Sequence, residues 1–247
     1  MSNRFESYHA DAFSSGCRED ENRRMRREPI FEPGSGPPVR GVLHRPDSVT
    51  AALALTHGAG SGCDAPLLVA LSDLLAEAGY AVLRFDLPFR QRRPHGPPTG
   101  SASADQAGIV RAVELLRGLF PGKVFAGGQS YGGRQTTMAA ADQPDLVAGL
   151  LLLSYPLHAP GKTQMRTAHF PRLRAPALFV QGTKDPFASP EEIETACKVL
   201  PAENSLVLVE GAGHDLGYGR KKADPALVPR IVGRFRAFFE AARPSEL

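Results

Sequence analysis

One serine in this sequence stands where a serine can act as a nucleophile. Ser130 lies in the pentapeptide GQSYG at 128–132, which follows the apolar run at 124–126 and precedes a helix-compatible segment at 134–141. A strand, a sharp turn and a helix around G-x-S-x-G are typical of a nucleophile elbow, in which a strained backbone lifts the serine oxygen clear of the sheet. The pattern therefore predicts a catalytic serine at position 130.

Two residues downstream supply the other groups that such a serine needs. Asp185 follows the strand-like run at 177–180, and His214 follows another at 206–209. Both therefore lie at the carboxyl ends of strands, where open α/β sheets bind their ligands, and in the order that an elbow requires. We predict His214 as general base and then general acid. Asp185 is predicted to orient the imidazole and to stabilise its protonated form.

Other reactive side chains near these motifs are given lesser roles. Asp215 is a second candidate for the acid, but an immediate neighbour of His214 reaches the distal ring nitrogen poorly, so Asp185 is favoured. Cys63 lies beside a glycine loop, where a thiol pKa can fall, yet a packed thiol is the preferred interpretation. The histidines interpreted as structural are His57, His158 and His169.

The oxyanion of a tetrahedral intermediate needs donors that are fixed in advance. The stretch HGAGSG at 57–62 follows a strand-like run and is suited to supply one of them. We predict an oxyanion hole formed by the backbone N–H groups of Ala59 and Tyr131. The helix that begins at Tyr131 would add its positive end.

Three arginines after the fourth predicted strand raise the question of an anionic substrate. Arg90, Arg92 and Arg93 lie close together in the sequence, with Asp86 to balance them. Guanidinium forks suit carboxylates and phosphates, so these arginines are candidate substrate-binding residues. A solvated face, or pairing with acidic helix surfaces, is the alternative interpretation and the favoured one.

Strand-like and helix-like segments alternate from residue 28 onward, which predicts a mostly parallel eight-stranded sheet with helices on both faces. The strands are predicted at 28–32, 38–45, 51–57, 80–86, 123–129, 148–154, 176–182 and 205–210. The helices are predicted at 65–79, 103–119, 131–143, 189–199 and 225–242. We expect one domain over 28–247 without a lid, since about twenty residues separate the sixth and seventh strands, and a disordered leader at 1–27.

Composition limits the possible partners. A formal net charge of +3 over 247 residues is weak support for nucleic-acid binding, which is not predicted. No stretch is long enough to span a bilayer and no secretory signal is evident, so no membrane association is expected. Three widely spaced cysteines indicate neither a disulfide framework nor a metal site, and the simplest interpretation is a cytoplasmic protein with reduced thiols. The oligomeric state stays open.

Six stretches together resemble one family: THGAGS, LRFDLPFRQRRP, GGQSYGGR, LLLSYPLHAPGK, LFVQGTKDPF and GAGHD. They are similar to a small α/β-hydrolase family that includes bacterial hydrolases assigned by sequence and the hydrolase-like domain of a eukaryotic nonspecific-lethal chromatin complex subunit. The resemblance spans about residues 30–243 and implies an α/β-hydrolase fold. Dienelactone-hydrolase-type relatives often carry cysteine at the elbow. Because Ser130 departs from that variant, their substrate is not carried over.

These residues predict a serine hydrolase that acts on a small acyl compound, most simply a carboxylic ester, through an acyl-enzyme. The mechanism needs no metal or organic cofactor, and none is predicted. Thioester, lactone, amide and carbon–carbon cleavage use the same residues and stay open. The alternative is a binding or scaffold protein that keeps the fold without turnover, because a fold does not imply a function.

Overall fold

One eight-stranded sheet runs through the centre of the molecule and is built from short aliphatic runs of the sequence. The computed structural model describes residues 25–219 and 224–240. The strands are β1 Arg26–Glu32, β2 Val39–Arg45, β3 Ala51–Thr56, β4 Tyr80–Phe85, β5 Val124–Gln129, β6 Leu150–Leu153, β7 Ala177–Gly182 and β8 Asn204–Val209. Strands β3, β4, β6 and β7 are buried along their whole length, as expected where both faces of a sheet are covered.

The order of the strands places a crevice at the centre of the sheet. The order is β1-β2-β4-β3-β5-β6-β7-β8. β1 with β2 and β2 with β4 pair antiparallel, and all other neighbours pair in parallel. β4 and β5 lie on opposite sides of β3, so the connections after β3 and β5 diverge. Such a reversal is where open α/β sheets bind ligands, at the carboxyl ends of the strands.

Helices cover both faces of the sheet. In the described ranges they are α1 Pro66–Glu77, α2 Pro88–Arg92, α3 Ala102–Leu119, α4 Tyr131–Asp142, α5 Pro190–Cys197 and α6 Leu227–Glu240. Alternate residues of a strand point to opposite faces. Accordingly, Ala52 and Ala54 of β3 pack in the core with α3, α4 and α5, whereas Leu53 and Leu55 pack in the core with α1 and α6. The predicted eight-stranded, mostly parallel sheet with helices on both faces is confirmed.

Two features differ from the prediction. β1 begins at Arg26, inside the predicted leader, and Arg27 is held there by the Asp73 carboxylate of α1 at 3.0 and 2.6 Å. Helix α2 was not predicted, because five residues are too few to show a helical period. The remainder of the predicted leader, at 1–24, and the chain end at 241–247 lie outside the described residues.

The connection between β6 and β7 bears on access to the carboxyl edge of the sheet. All of it is described, and its one regular element is a 3-10 helix at Phe170–Arg172. No lid domain is therefore inserted at this point. Among the described helices, none has the length and apolar character needed to cross a membrane.

Candidate active site

Ser130 lies at the sharp turn between β5 and α4. Its backbone has φ 51° and ψ −115°, a conformation that residues with a side chain rarely adopt. The Ser130 N–H donates to the carbonyl of Leu153 on β6 at 2.8 Å and so anchors the turn to the sheet. A Cβ at Gly128 would lie 2.9 Å from the backbone of Gly132, and one at Gly132 would lie 2.5 Å from the His57 carbonyl oxygen. Only glycine fits at both positions without displacement.

The structure brings Ser130, His214 and Asp185 together, although the serine and the histidine are 84 positions apart in the sequence. The serine Oγ lies 2.7 Å from Nε2 of His214, and Nδ1 of the same ring lies 2.8 Å from Oδ2 of Asp185. Because an ionised carboxylate only accepts hydrogen bonds, Nδ1 carries the ring proton and Nε2 accepts from the hydroxyl. In this arrangement the imidazole can remove the serine proton.

The Asp185 carboxylate is fully buried and fixed by donors on both oxygens. The Gln181 amide donates to Oδ2 at 2.7 Å, and the Phe187 N–H donates to Oδ1 at 2.9 Å. Gln181 is itself held, because its side-chain oxygen accepts from the Tyr155 N–H at 2.8 Å. Sequence reasoning missed Gln181, whose one signal is its place four residues before the acid on β7. These contacts direct the carboxylate at His214.

Asp215, the other candidate for the acid, faces its own turn. Its Oδ1 accepts from the Gly217 N–H at 2.9 Å, and its side chain lies at the surface. Both carboxylate contacts of Nδ1 on His214 come from Asp185, at 2.8 and 3.0 Å. The Phe187 ring lies over the imidazole with ring centres 4.1 Å apart and restricts its rotation. Asp185 is thus the acid beside the histidine.

The glycine-rich loop after β3 carries Ala59 to the cavity beside the serine. His57 braces this loop, as predicted for a structural histidine. Its Nδ1 donates to the Gly58 carbonyl at 2.8 Å, and its Nε2 accepts from the Leu87 N–H at 3.1 Å. Burial lowers the pKa of His57, which keeps the ring neutral in this tautomer.

The hydroxyl of Tyr131 is engaged by a carboxylate, whereas its backbone N–H lies at the start of a helix. The phenol donates to Oδ2 of Asp105 at 2.8 Å, and the ring packs edge-on against Phe89. The backbone N–H of Tyr131 stands at the first position of α4, where a helix offers no acceptor of its own. Tyr131 and Ala59 both line the cavity that contains Ser130.

Arg90, one of the candidate substrate-binding residues, has all of its side-chain donors occupied within the protein. The residue is 4% exposed, and its five N–H groups all donate to backbone carbonyl oxygens. The acceptors belong to Ala59, Ser61, Arg93, Pro94 and Gly96. Arg90 therefore ties the loop after α2 to the glycine-rich loop. Arg92 and Arg93 are exposed, and neither lines the cavity at Ser130.

A cavity of about 920 Å³ opens at Ser130 and His214. Much of its wall is apolar and comes from α1 and from the loops near the imidazole: Ala65, Pro66, Leu67, Pro156, Pro186 and Phe187. Two arginines that were not predicted also line it, Arg134 and Arg166. Arg134 lies one helical turn after Ser130, a spacing that the sequence displays. Arg166 lies in the connection between β6 and β7, where no periodic pattern marks it.

The remaining candidate side chains have structural surroundings. Burial raises the pKa of the Cys63 thiol to about 12, so it is the packed, unreactive thiol that was preferred. His158 lies 3.1 Å from the Glu192 carboxylate, and His169 lies 2.8 Å from the Thr137 hydroxyl. Over the described ranges, no group of three or more histidine, cysteine or carboxylate side chains is placed to hold a metal ion.

Comparison with known proteins identifies the architecture. A family model described as an alpha/beta hydrolase domain matches residues 49–227, well over half of the chain. The match is to that domain family as a whole and does not support the narrower group that the sequence resembles.

Three solved structures share the fold at low identity. A putative dienelactone hydrolase from Klebsiella pneumoniae has a TM-score of 0.71 at 18% identity, over 88% of this chain and 99% of that one. Est1E from Butyrivibrio proteoclasticus with ferulic acid bound has a TM-score of 0.69 at 19% identity, over 86% and 99%. A dienelactone hydrolase from Anabaena variabilis has a TM-score of 0.68 at 21% identity, over 87% and 97%. The predicted α/β-hydrolase fold is confirmed.

Proposed function

This chain belongs to the alpha/beta hydrolase domain family, and from that premise we propose that it is a serine hydrolase that cleaves a small carboxylic ester through an acyl-enzyme. The observation that carries the proposal is the row of hydrogen bonds from the Ser130 hydroxyl through His214 to the buried Asp185 carboxylate. The row begins at a cavity through which a carbonyl group can reach the serine. The dienelactone hydrolases among the similar folds agree with hydrolysis.

In the acylation half of the proposed reaction, the oxygen of Ser130 bonds to the ester carbonyl carbon while its proton passes to Nε2 of His214. Asp185, 2.8 Å from Nδ1, stabilises the imidazolium that forms. The carbonyl oxygen becomes negative and accepts from the N–H groups of Ala59 and Tyr131. The bond to the alcohol oxygen then breaks, and that oxygen takes the proton from His214.

In the deacylation half, water replaces the alcohol. His214 removes a proton from the water molecule as its oxygen attacks the acyl carbon. The same backbone donors hold the second oxyanion. When the acyl–serine bond breaks, Ser130 recovers its proton from His214 and the acid product leaves. Neutral His214 is thus restored at the end of each turnover.

Two finer assignments are part of the proposal. The resemblance to the hydrolases of the nonspecific-lethal complex type rests on the stretch at 155–162, whose first residue, Tyr155, donates through its N–H to Gln181 behind the acid. A cytoplasmic location is supported by two buried, unpaired thiols, Cys63 and Cys197.

Covalent labelling tests the proposal. We expect a fluorophosphonate to add one adduct to the wild-type protein, measured by intact mass, and peptide mapping to place it on Ser130. Ser130→Ala should remove the adduct and lower kcat on activated aryl esters by about ten-thousandfold or more. His214→Ala should be nearly as damaging, because members of such a row act as a unit.

Ser61→Ala is the matched control, since Ser61 lines the same cavity and its hydroxyl makes only a long contact of 3.5 Å. This variant should keep the adduct. A folded wild-type protein that takes no adduct at Ser130 and turns over no ester, thioester or lactone would refute the hydrolase proposal. A binding or scaffold role would then replace it.

A further inference from the structure

Two arginines face the reaction cavity without an acidic partner. Arg134 and Arg166 are both half-buried and both line the cavity that contains Ser130 and His214. Among the residues that the structure describes, no carboxylate lies within the 4.0 Å ion-pair distance of either guanidinium. Nε of Arg134 is buried and has no hydrogen-bond partner in this part of the chain. Within the described ranges neither guanidinium donates a side-chain hydrogen bond, so the N–H groups that reach the cavity are available to a bound molecule.

The same two arginines also line a second cavity of about 560 Å³. Its other charged lining residues are Lys162 and Arg172, and no carboxylate side chain belongs to its described lining. Arg172 is paired with the Asp142 carboxylate at 3.1 Å. Positive charge thus extends from Arg134 and Arg166 into this second cavity, whereas the cavity at Ser130 also has one carboxylate, Asp215, in its described lining.

The pKa values of neighbouring groups reflect the positive charge of this region. Burial and the charge of Arg134 lower the pKa of Arg166. Burial, together with the charges of Arg134 and Arg172, lowers the pKa of His169 to about 4, although the Asp142 carboxylate acts to raise it. Two guanidinium groups held near each other repel, and an anion placed between them offsets that repulsion. Guanidinium forks match the geometry of carboxylate and phosphate oxygens.

We propose that Arg134 and Arg166 form an anion-binding subsite beside Ser130, and that the preferred substrates are esters whose acyl part carries a carboxylate or a phosphate. This inference rests on the proposed function, because it assigns the substrate class of the same cavity. Arg134 stands one helical turn, about 5.4 Å, beyond the serine along α4. The anion therefore lies several bonds from the reacting carbonyl, and the apolar wall from α1 contacts the uncharged remainder of the substrate.

Three aryl esters with the same phenol test the subsite. Their acyl chains have equal length and end in a carboxylate, a phosphate or a neutral methyl ester. We expect the wild-type protein to prefer an anionic ester over the neutral one by about tenfold or more in kcat/KM. The double variant Arg134→Gln/Arg166→Gln should abolish that preference, because kcat/KM should fall about tenfold more for the anionic esters than for the neutral one. The carboxylate and phosphate arms show which anion the subsite takes, and a preference for either supports the proposal.

The double variant Arg230→Gln/Arg234→Gln is the control, because it removes the same charge from exposed positions of α6. It should keep the preference. Equal losses on all three esters in Arg134→Gln/Arg166→Gln, or a preference that survives in it, would overturn the subsite.

A binding measurement separates this inference from the proposed function. Glutarate and inorganic phosphate are titrated calorimetrically into Ser130→Ala protein, with and without the two arginine changes. If either anion binds about tenfold more weakly to the protein that also carries Arg134→Gln/Arg166→Gln, the subsite is supported. This holds even if the wild-type protein turns over no ester, a result that would refute only the hydrolase proposal. Binding that is equal with and without the arginines would remove the subsite and leave hydrolysis standing.

Discussion

The two groups of arginines near the reaction cavity differ in what their guanidinium groups already hold. Arg90 is buried, and five carbonyl oxygens occupy its five N–H groups. Arg134 and Arg166 line the cavity and pair with no carboxylate of the described residues. An arginine near a site is thus available to a ligand only where the fold has left its donors without acceptors. Arg90, a candidate from the sequence, is thus held by the protein itself, whereas Arg134 and Arg166, which line the cavity, were not among the predicted candidates.

The largest effect that would test this contrast is on stability, in Arg90→Gln. The change leaves buried carbonyl oxygens without donors, and loss of such a charged network costs about 3 to 5 kcal/mol. Denaturant unfolding should show a free energy of unfolding lower by that amount. Arg92→Gln, at an exposed position of the same segment, should change it by less than about 0.5 kcal/mol. Equal unfolding free energies for Arg90→Gln and the wild type would contradict the structural role.

A smaller effect is expected at His169, which packs beside the second group. Burial, Arg134 and Arg172 lower the pKa of this imidazole to about 4, and Asp142 opposes them. Arg134→Gln removes one of the cations, so the pKa of His169 should rise. It should stay below 6.5, because the burial persists. Titration of the imidazole resonances by NMR measures the change.

The same shift has a consequence for acid stability. A histidine with a lowered pKa binds its proton less readily in the folded state, so the free energy of unfolding falls as the pH falls from 6.5 to about 4. Arg134→Gln should make that fall shallower than in the wild type, and Arg230→Gln should leave it unchanged. If the pKa of His169 is the same in Arg134→Gln as in the wild type, the guanidinium of Arg134 does not lie close enough to His169 to affect it.

Much of the fold was predictable because local signals agree with the final packing. Helix α5 is an example: the Ser189 hydroxyl accepts from the Glu192 N–H at 3.3 Å, and the Glu192 carboxylate accepts from the Ser189 N–H at 2.8 Å. Four residues of sequence are enough to predict this capping box. Helix α2 has one turn and no helical period, and the edge strand β1 begins in charged residues. Local patterns therefore indicated neither the presence of α2 nor the start of β1.

In the candidate site, too, some residues could be predicted from local patterns and others could not. Ser130, Asp185 and His214 could be predicted to meet, because each follows a strand and parallel strands end at one edge of the sheet. The parts played by Gln181 and Arg166 depend on distances between separate loops, which no local pattern encodes. For Arg90, the sequence shows a charge beside two others but not the carbonyl oxygens that surround it.

The smallest effect is expected from the double change Arg92→Gln/Arg93→Gln. Both side chains are exposed and neither lines the cavity, so they act on a substrate only through solvent. Charges are screened over about 8 Å at physiological ionic strength and about 3 Å at 1 M. The kcat/KM for an anionic ester should therefore fall by less than about twofold at physiological salt, and the difference should vanish near 1 M. Steady-state rates on the anionic and neutral esters, at physiological salt and near 1 M salt, measure the loss in kcat/KM and its dependence on salt. A loss as large as that of Arg134→Gln/Arg166→Gln, persisting in high salt, would mean that this exposed segment closes on the substrate and that the two groups of arginines share one role.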